Sequence, residues 1–301
     1  MHAVTVIGCV QVDLLLAPVA ELPAAGASAF VDGMGLRAGG AGANSALALL
    51  EAGMAPRLIG AVGDDHFGRW LLDSLGEFGL TDDIAVDPEQ PTGVTVAVEA
   101  PGRERSFLTY LGVTRVAGEE IVPPGSLEAG HVLLCDYFCA PALRGDPTRR
   151  LLSRARENGA RTYFDTAWDT DGFTAATREE LHAILPLVDV FLPNEAEARA
   201  LTGTESVSKA GRELQRRSGG WVVIKLGADG CIAFGPHGGR LASPAPVIEP
   251  TDTTGAGDAF NAGLVSAFAS GRDWPDALQA ATGLASNLLA RPSNDRHTVR
   301  R

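Results

Sequence analysis

The chain has 301 residues and a formal net charge of −12, with 45% hydrophobic and 21% charged residues. Binding to a nucleic-acid backbone needs a clustered positive surface, so this acidic balance argues against a nucleic-acid partner. No run approaches the roughly 18 uninterrupted apolar residues of a membrane span, which predicts a soluble globular protein without a membrane partner.

The first residues run directly into a strand pattern, without the basic segment and cleavage site of a secretory signal, so we expect a cytoplasmic location. Apolar runs rich in Val and Ile then alternate with amphipathic stretches, the pattern of buried parallel strands joined by helices. The runs are 4–10, 57–62, 131–135, 161–164, 188–192 and 221–226, and the helical stretches are 44–51, 67–78, 147–158, 208–217 and 257–270. This alternation predicts one α/β domain over residues 1–301. We expect a doubly wound, mostly parallel central sheet flanked by helices, with ligands beyond the carboxyl ends of the strands.

Two stretches break this alternation and predict a small antiparallel β sheet that projects from the domain. Residues 29–36, and 92–99 with 105–110, alternate with a period of two, and turn residues join the last pair as a hairpin. We expect insertions at about 14–37 and 91–113 that form a lid over the binding site. A plain edge extension or a dimer surface is the alternative, and a homodimer through the lid is expected because sheet edges seek partners. The roles of four hairpin residues stay open: Arg103, Arg105, Phe107 and Tyr110.

Polar residues near the start of the chain predict a site for a small hydroxylated ligand. Residues 8–13, with Gln11 and Asp13, are predicted to end the first strand, and Asp13 places a carboxylate in an apolar stretch. That carboxylate can accept two hydrogen bonds from a polyol, and a turn-capping aspartate is the alternative. Gly39 and Gly40 open a helix that contains Asn44. Their bare backbone suits close approach of the same ligand.

Two later segments predict contacts with a nucleotide. Asn194 and Glu197 begin a helix after a strand and share one helical face. They can orient the water shell of a Mg²⁺ ion carried by a nucleotide, because Mg²⁺ keeps several waters and takes few protein ligands. A capping box is the alternative, and both interpretations can hold together. Lys225, Gly227 and Gly230 close another strand and predict a loop along which a nucleotide approaches the backbone.

A glycine turn followed by a carboxylate occupies residues 252–260. Gly255 and Gly257 lack Cβ atoms, so the amides of residues 255 to 257 can turn toward an anion where a helix begins. Asp258 lies in the first helical turn, where the positive end of the helix dipole favours an ionised carboxylate. The segment therefore predicts a phosphate-handling site, and an ordinary glycine-rich loop with a helix-start aspartate is the alternative.

The order of these motifs resembles that of the ribokinase-like (PfkB) family of carbohydrate kinases along almost the whole chain. The family pattern of Gly-Gly-x-Gly-x-Asn, Asn-x-x-Glu and Asp-Thr-x-Gly-Ala-Gly-Asp matches residues 39–44, 194–197 and 252–258 in that order. The resemblance implies a carbohydrate kinase, a phosphotransferase that passes the γ-phosphate of ATP to a hydroxyl, expected to be primary, of a small sugar. A nucleoside kinase of the same family and a non-catalytic sugar- or nucleotide-binding protein remain alternatives.

The resemblance also implies a role for each motif residue. Asp258 is expected to be the catalytic base, with an anion hole formed by the amides of Gly255, Ala256 and Gly257. The expected sugar-binding residues are Gln11, Asp13, Gly39, Gly40 and Asn44, and the nucleotide-binding residues are Asn194, Lys225, Gly227 and Gly230. ATP and Mg²⁺ are the expected cofactors, with Asn194 and Glu197 serving Mg²⁺ through water. The resemblance also leaves open a K⁺ ion bound near Asp252.

Several positions depart from the family pattern. Gln11 stands where ribokinases carry an asparagine, and Ala41 replaces their lysine, which makes ribose a less expected substrate. The missing lysine, with little basic charge expected near Asp13, also argues against an already phosphorylated substrate. The segment after Asp165 lacks the arginine that sugar-acid kinases of the family use for a carboxylate. Residues 293–294 replace a Gly-Ala pair of the family pattern, a departure that concerns the rim of the adenine pocket and the K⁺ ion implied by the resemblance.

Overall fold

The computed structural model describes residues 3–17, 19, 21, 23–98, 106–248 and 253–291. The strands in these ranges are β1 (Val4–Ile7), β2 (Gln11–Leu16), β3 (Met34–Gly39), β4 (Arg57–Gly63), β5 (Ile84–Asp87), β6 (Val94–Val98), β7 (Ser106–Tyr110), β8 (His131–Leu134), β9 (Arg161–Phe164), β10 (Val190–Phe191), β11 (Trp221–Lys225), β12 (Cys231–Phe234) and β13 (Arg240–Ser243). The α-helices are α1 (Ala41–Glu51), α2 (His66–Gly76), α3 (Asp146–Glu157), α4 (Ala175–Ile184), α5 (Glu195–Thr202), α6 (Val207–Ser218), α7 (Ala256–Ala269) and α8 (Trp274–Leu289). None of the helices in these ranges is long and apolar enough to cross a bilayer.

Nine strands form the central sheet, in the order β13-β12-β11-β10-β9-β8-β1-β4-β5. Neighbours from β11 to β5 run parallel, and β12 and β13 are antiparallel additions at one edge. Leu133 packs in one hydrophobic core with α1, α2, α7 and α8, while Val132 and Leu134 pack in a second core with α3 to α6. Because successive side chains of a strand point to opposite faces, helices cover both faces of the sheet. The predicted doubly wound fold with a mostly parallel sheet is confirmed.

The second sheet has four strands in the order β3-β2-β6-β7. Its outer pairs are antiparallel, as predicted, while β2 and β6 are parallel because the chain passes through β4, α2 and β5 between them. Asp13 lies opposite Arg37 and Thr95, so these polar side chains share one face. Leu36 and Val96 flank Leu14 in the adjacent register row, which makes the other face apolar.

Two predicted strand boundaries were wrong, and both errors concern the polar face of this sheet. β1 ends at Ile7 because Gly8 lies against α1: a Cβ on Gly8 would come 2.9 Å from the backbone of Gly42. Asp13 therefore belongs to β2 of the small sheet and not to the end of the first strand. The strand predicted over residues 29–36 begins only at Met34, as β3, because its partner β2 has only six residues with which it can pair.

Candidate active site

A cavity of about 270 Å³ lies between the carboxyl ends of the parallel strands and the polar face of the small sheet. Its lining comes from the small sheet, α1, the start of α5, the end of β11 and the start of α7, so it joins residues from Gln11 to Asp258. The predicted site residues that line the cavity are Gln11, Asp13, Gly40, Asn44, Asn194, Glu197, Lys225, Gly257 and Asp258. The alternative of an ordinary glycine loop at residues 252–260 does not explain this convergence.

A wider groove of about 750 Å³ adjoins the cavity and shares Asn194 and Lys225 with it. Gly227 lines the groove, as a nucleotide-contacting residue would. Gly230, in contrast, packs against the β13 edge, where a Cβ would lie 2.1 Å from the Ser243 carbonyl oxygen. Its backbone φ of 85° adds a second reason for glycine, so a direct nucleotide contact is not needed to explain the residue.

Asp258 lies in the first turn of α7, and its Oδ2 accepts a hydrogen bond of 2.8 Å from Asn44 Nδ2. Burial raises the pKa of Asp258 to about 6, against the opposing effect of the Asn44 hydrogen bond. Asp165 also raises this pKa and Lys225 lowers it. The sequence predicted an ionised carboxylate from the helix dipole alone. The structure adds that burial makes it more basic than an ordinary aspartate, which suits a general base.

The glycine turn in front of Asp258 presents its residues unequally. Gly255 precedes α7 with a left-handed φ of 80°, a conformation that glycine adopts without strain. The amide of Ala256 donates to the Thr253 carbonyl oxygen at 3.3 Å and is thus partly engaged in the turn. Gly257 belongs to the cavity wall. Asp252, predicted near a K⁺ ion, lies outside the described residues.

Asp13 shares its surroundings with a buried cation that the sequence interpretation missed. Arg37 Nε lies 3.5 Å from Asp13 Oδ2, and both side chains are buried. The expectation of little basic charge near Asp13 was therefore wrong, because the predicted strand stopped at residue 36, one short of Arg37. Gly39 lies beside the same carboxyl group: a Cβ there would come 2.3 Å from Asp13 Oδ1. The absence of a side chain at Gly39 makes room for Asp13.

Asp136 is a second buried carboxylate in the cavity wall, and it was not among the predicted residues. It follows β8 with a left-handed φ of 60°, and its Oδ2 accepts hydrogen bonds from the amides of Cys9 and Ala41. Burial first, and then the charge of Asp258, raises the pKa of Asp136 to about 7. A pattern could have found it, since Asp136 directly follows an apolar run, at the strand end where ligands of such sheets bind.

A polar network crosses the floor of the site. Lys225 Nζ donates to Asp165 Oδ2 at 2.6 Å, and Asn261 Nδ2 donates to the same oxygen. Asn261 is fully buried and lies three residues after Asp258, on the next turn of α7. That spacing could have marked it as a neighbour of the site.

Asn194 and Glu197 form a complete capping box at the start of α5. Glu197 Oε2 accepts from the Asn194 amide and Oε1 from Asn194 Nδ2, both at 2.8 Å, while Asn194 Oδ1 accepts from the Glu197 amide. Both side chains also line the cavity. Among the described ranges, no cluster of three or more acidic, histidine or cysteine side chains is placed to hold a metal ion directly. The pair therefore fits contact with Mg²⁺ through water better than direct coordination.

Comparisons with known proteins show what the whole chain is similar to. The model of the pfkB family carbohydrate kinase matches residues 1–296. The chain is 28% identical to a fructokinase of Vibrio alginolyticus over 245 residues, 78% of each protein. It is 29% identical to a 2-dehydro-3-deoxygluconokinase of Thermoproteus tenax over 262 residues, 83% of this chain and 78% of that one. An Arabidopsis thaliana ribokinase, solved with ribose and ATP, superposes with a TM-score of 0.81 at 26% identity, covering 96% of this chain and 92% of that one.

Proposed function

Because the chain belongs to the pfkB family of carbohydrate kinases, we propose that it transfers the γ-phosphate of MgATP to a hydroxyl of a small neutral sugar or polyol. We expect this hydroxyl to be a primary one. The kinase class, a phosphotransferase with an alcohol group as acceptor, follows from the family. The observation that carries the specific reaction is Asp258, a partly buried carboxylate at the start of α7, held by Asn44 at the cavity wall.

The transfer needs a base and a place for the anion. We infer that Asp258 takes the proton of the substrate hydroxyl while that oxygen bonds to the γ-phosphorus and the bond to the β-γ bridging oxygen breaks, releasing ADP. Help from a general base contributes about 10²–10⁴-fold. The amides of Gly255 and Gly257, with a smaller share from Ala256, would hold the transferring group at the positive end of α7. Mg²⁺, bound to ATP, would neutralise phosphate charge, and Asn194 with Glu197 would orient its water shell.

The walls of the cavity favour a neutral substrate rich in hydroxyl groups. Five carboxylates line it with Lys225, so the hydroxyl groups of a sugar find acceptors, whereas a carboxylate group on the sugar would meet like charge. Gln11 Nε2 donates to Thr95 Oγ1 at 2.6 Å, which fixes the glutamine beside Asp13. The relatives named above include a kinase of a neutral sugar and one of a sugar acid, and the carboxylates favour the first class for this chain.

A nucleoside kinase is the second candidate, because the Phe107 ring lines the cavity and can stack on a base. An assay of ADP release with a panel of neutral sugars, polyols, sugar acids and nucleosides tests both, with and without Mg²⁺. We expect turnover that needs Mg²⁺ and is fastest with a neutral sugar or polyol. Preference for a nucleoside would support the second candidate, and silence across the panel would support a non-catalytic binding protein.

The pKa of Asp258 predicts the pH dependence of the reaction. Only the ionised carboxylate can accept a proton, so kcat/KM should rise about tenfold per pH unit below pH 6 and level off above it. Steady-state rates between pH 4.5 and about 8 check this. An acid limb centred near the ordinary aspartate value of about 4 would contradict a base whose pKa is raised.

We propose that the small sheet, formed by insertions near 14–37 and 91–113, acts as the lid of this site. We also propose that the protein works in the cytoplasm, where ATP is supplied. Phe107 on β7 faces the cavity, while Leu108 and Tyr110 belong to the opposite face, where they are half to two-thirds exposed. Arg103 and Arg105 lie outside the described residues. The lid would exclude water while the phosphoryl group is transferred.

The outer face of the lid supports a homodimer. Leu36 and Leu108 lie at the two ends of a row of apolar side chains that crosses all four strands of the small sheet. Their side chains are 43% and 69% exposed, and Met34 on the same face is 63% exposed. A second copy offers an identical apolar face, as a twofold interface requires. Sedimentation of the wild type and of Leu36→Glu/Leu108→Glu tests this. We expect a dimer and a monomer respectively, and a monomeric wild type would reject the interface.

A further inference from the structure

Lys225 occupies an unusual position for a basic residue of this acidic chain. It ends β11 at the wall that the cavity and the groove share. No other cationic side chain lines the cavity in the part of the chain that the structure describes, whereas five carboxylates do: Asp13, Asp136, Asp165, Glu197 and Asp258. The chain has only two lysines among its 25 basic residues, and the other, Lys209, is exposed on α6.

The ammonium group is held firmly and points toward the start of α7. Its Nζ lies 2.6 Å from Asp165 Oδ2 and 3.4 Å from Asn261 Oδ1. An ammonium carries three N–H donors, so one remains for a ligand. The position of a Cβ on Gly257 would lie 3.6 Å from Nζ. The lysine and the N-terminus of α7 therefore face the same space beside Asp258.

That space must accept the most negative part of the reactants. In phosphoryl transfer the charge is spread over three oxygens of the transferring group, and catalysis depends mainly on positioned cations and donors that neutralise it. The described cavity wall supplies one cation against five carboxylates. A lysine ammonium is a compact point charge, which suits an oxygen that moves between two partners better than a planar guanidinium does.

We propose that Lys225 is a catalytic residue that donates a hydrogen bond to a γ-phosphoryl oxygen during transfer, with Asp165 and Asn261 as positioning residues. This assignment rests on the proposed kinase reaction and goes beyond a nucleotide-binding role for the lysine. The phosphoryl group moves from ADP to the sugar oxygen past a fixed ammonium, so the contact strengthens in the transition state. Asp165 and Asn261 fix the position of Nζ before ATP arrives.

The first experiment compares Lys225→Met with Lys225→Arg and with the exposed control Lys209→Met. With the best substrate of the panel, Lys225→Met should lower kcat by about 10²–10³-fold, the effect of removing one transition-state donor. The dissociation constant of ADP alone should change by less than about threefold, because ADP lacks the transferred group. Lys225→Arg should recover about tenfold of the lost kcat, and Lys209→Met should match the wild type.

A transition-state analogue separates catalysis from structure. ADP with aluminium fluoride and the sugar imitates the transferring phosphoryl group. Lys225→Met should weaken this complex by about the factor lost in kcat, while a lysine that only stabilises the fold would leave the ratio of analogue to ADP affinity unchanged.

A double-mutant cycle tests the positioning residue. Asp165→Asn keeps an acceptor for Asn261 but removes the charge, and we expect about a tenfold loss of kcat. In the Lys225→Met background the same change should have no further effect. Lys225→Met alone leaves the Asp165 charge unpaired, which can prevent folding. The double variant Asp165→Asn/Lys225→Met removes both charges of the ion pair, so its kcat replaces that of Lys225→Met if the single variant does not fold.

Two outcomes overturn the assignment while leaving the kinase reaction intact. In the first, Lys225→Met or the double variant folds and keeps a kcat within about threefold of the wild type. The loss of a transition-state donor should instead lower kcat by about 10²-fold. The other is an equal loss of affinity for ADP alone and for the aluminium fluoride complex. A wild type that phosphorylates nothing in the panel would reject the proposed function itself.

Discussion

We expect Asp258→Asn to lower kcat by at least about 10³-fold while ADP binding changes by less than about threefold. The amide has the shape of the carboxylate but cannot accept the proton of the substrate hydroxyl. Asn44 Nδ2 can still donate to the side-chain oxygen of the asparagine, so the contact between α1 and α7 is kept. Steady-state rates with the best substrate and calorimetric titration of ADP measure the two effects.

The matched control is Asp276→Asn. Asp276 is the third residue of α8, as Asp258 is of α7, and it is exposed and away from the cavity lining. Both substitutions remove a carboxylate from a first helical turn, so both lose the same interaction with the helix dipole. Only Asp258→Asn should lose turnover. If Asp258→Asn keeps more than about a tenth of the wild-type kcat, the carboxylate is not the base.

Much of this site follows from the sequence because its features are local. The glycine turn before α7 and the capping box of α5 each fall within a few residues, and helix starts are specified at that range. The strand-helix alternation then brings such starts to one edge of a parallel sheet. Asp258 and Asn194, which the local motifs single out, both line the cavity, and their roles there stay predictions.

The remaining features depend on packing between distant segments. Arg37 meets Asp13 only because β3 pairs with β2 in this register, and β3 extends to Gly39, beyond the predicted strand over residues 29–36. Asp136 contacts the amides of Cys9 and Ala41, more than 90 residues away along the chain. Such contacts have no local pattern, because a one-residue change of register turns every side chain to the other face.

Replacing Asp13 by asparagine should lower kcat/KM for the sugar by about 10²–10³-fold, because hydrogen bonds to a charged group contribute about 1.5–3 kcal/mol each and two are expected. The dissociation constant of ADP should stay unchanged, since Asp13 lines the cavity and not the adjoining groove. Asn can still accept a hydrogen bond from one hydroxyl, so residual activity should remain at high sugar concentration. Initial rates over a range of sugar concentrations give this value.

The buried Arg37 makes a competing explanation testable, since Asp13→Asn also removes the anion 3.5 Å from the Arg37 Nε. If Asp13 only balances that cation, removing both charges in Asp13→Asn/Arg37→Met should restore kcat/KM toward the value of Arg37→Met alone. If Asp13 binds the sugar, the double variant stays as impaired as Asp13→Asn. We expect the second result, because Gly39 leaves space for the Asp13 carboxylate and that side chain lines the cavity. Restoration by the double variant would assign Asp13 to the structure of the lid and leave the sugar hydroxyls to Asn44 and Asp136.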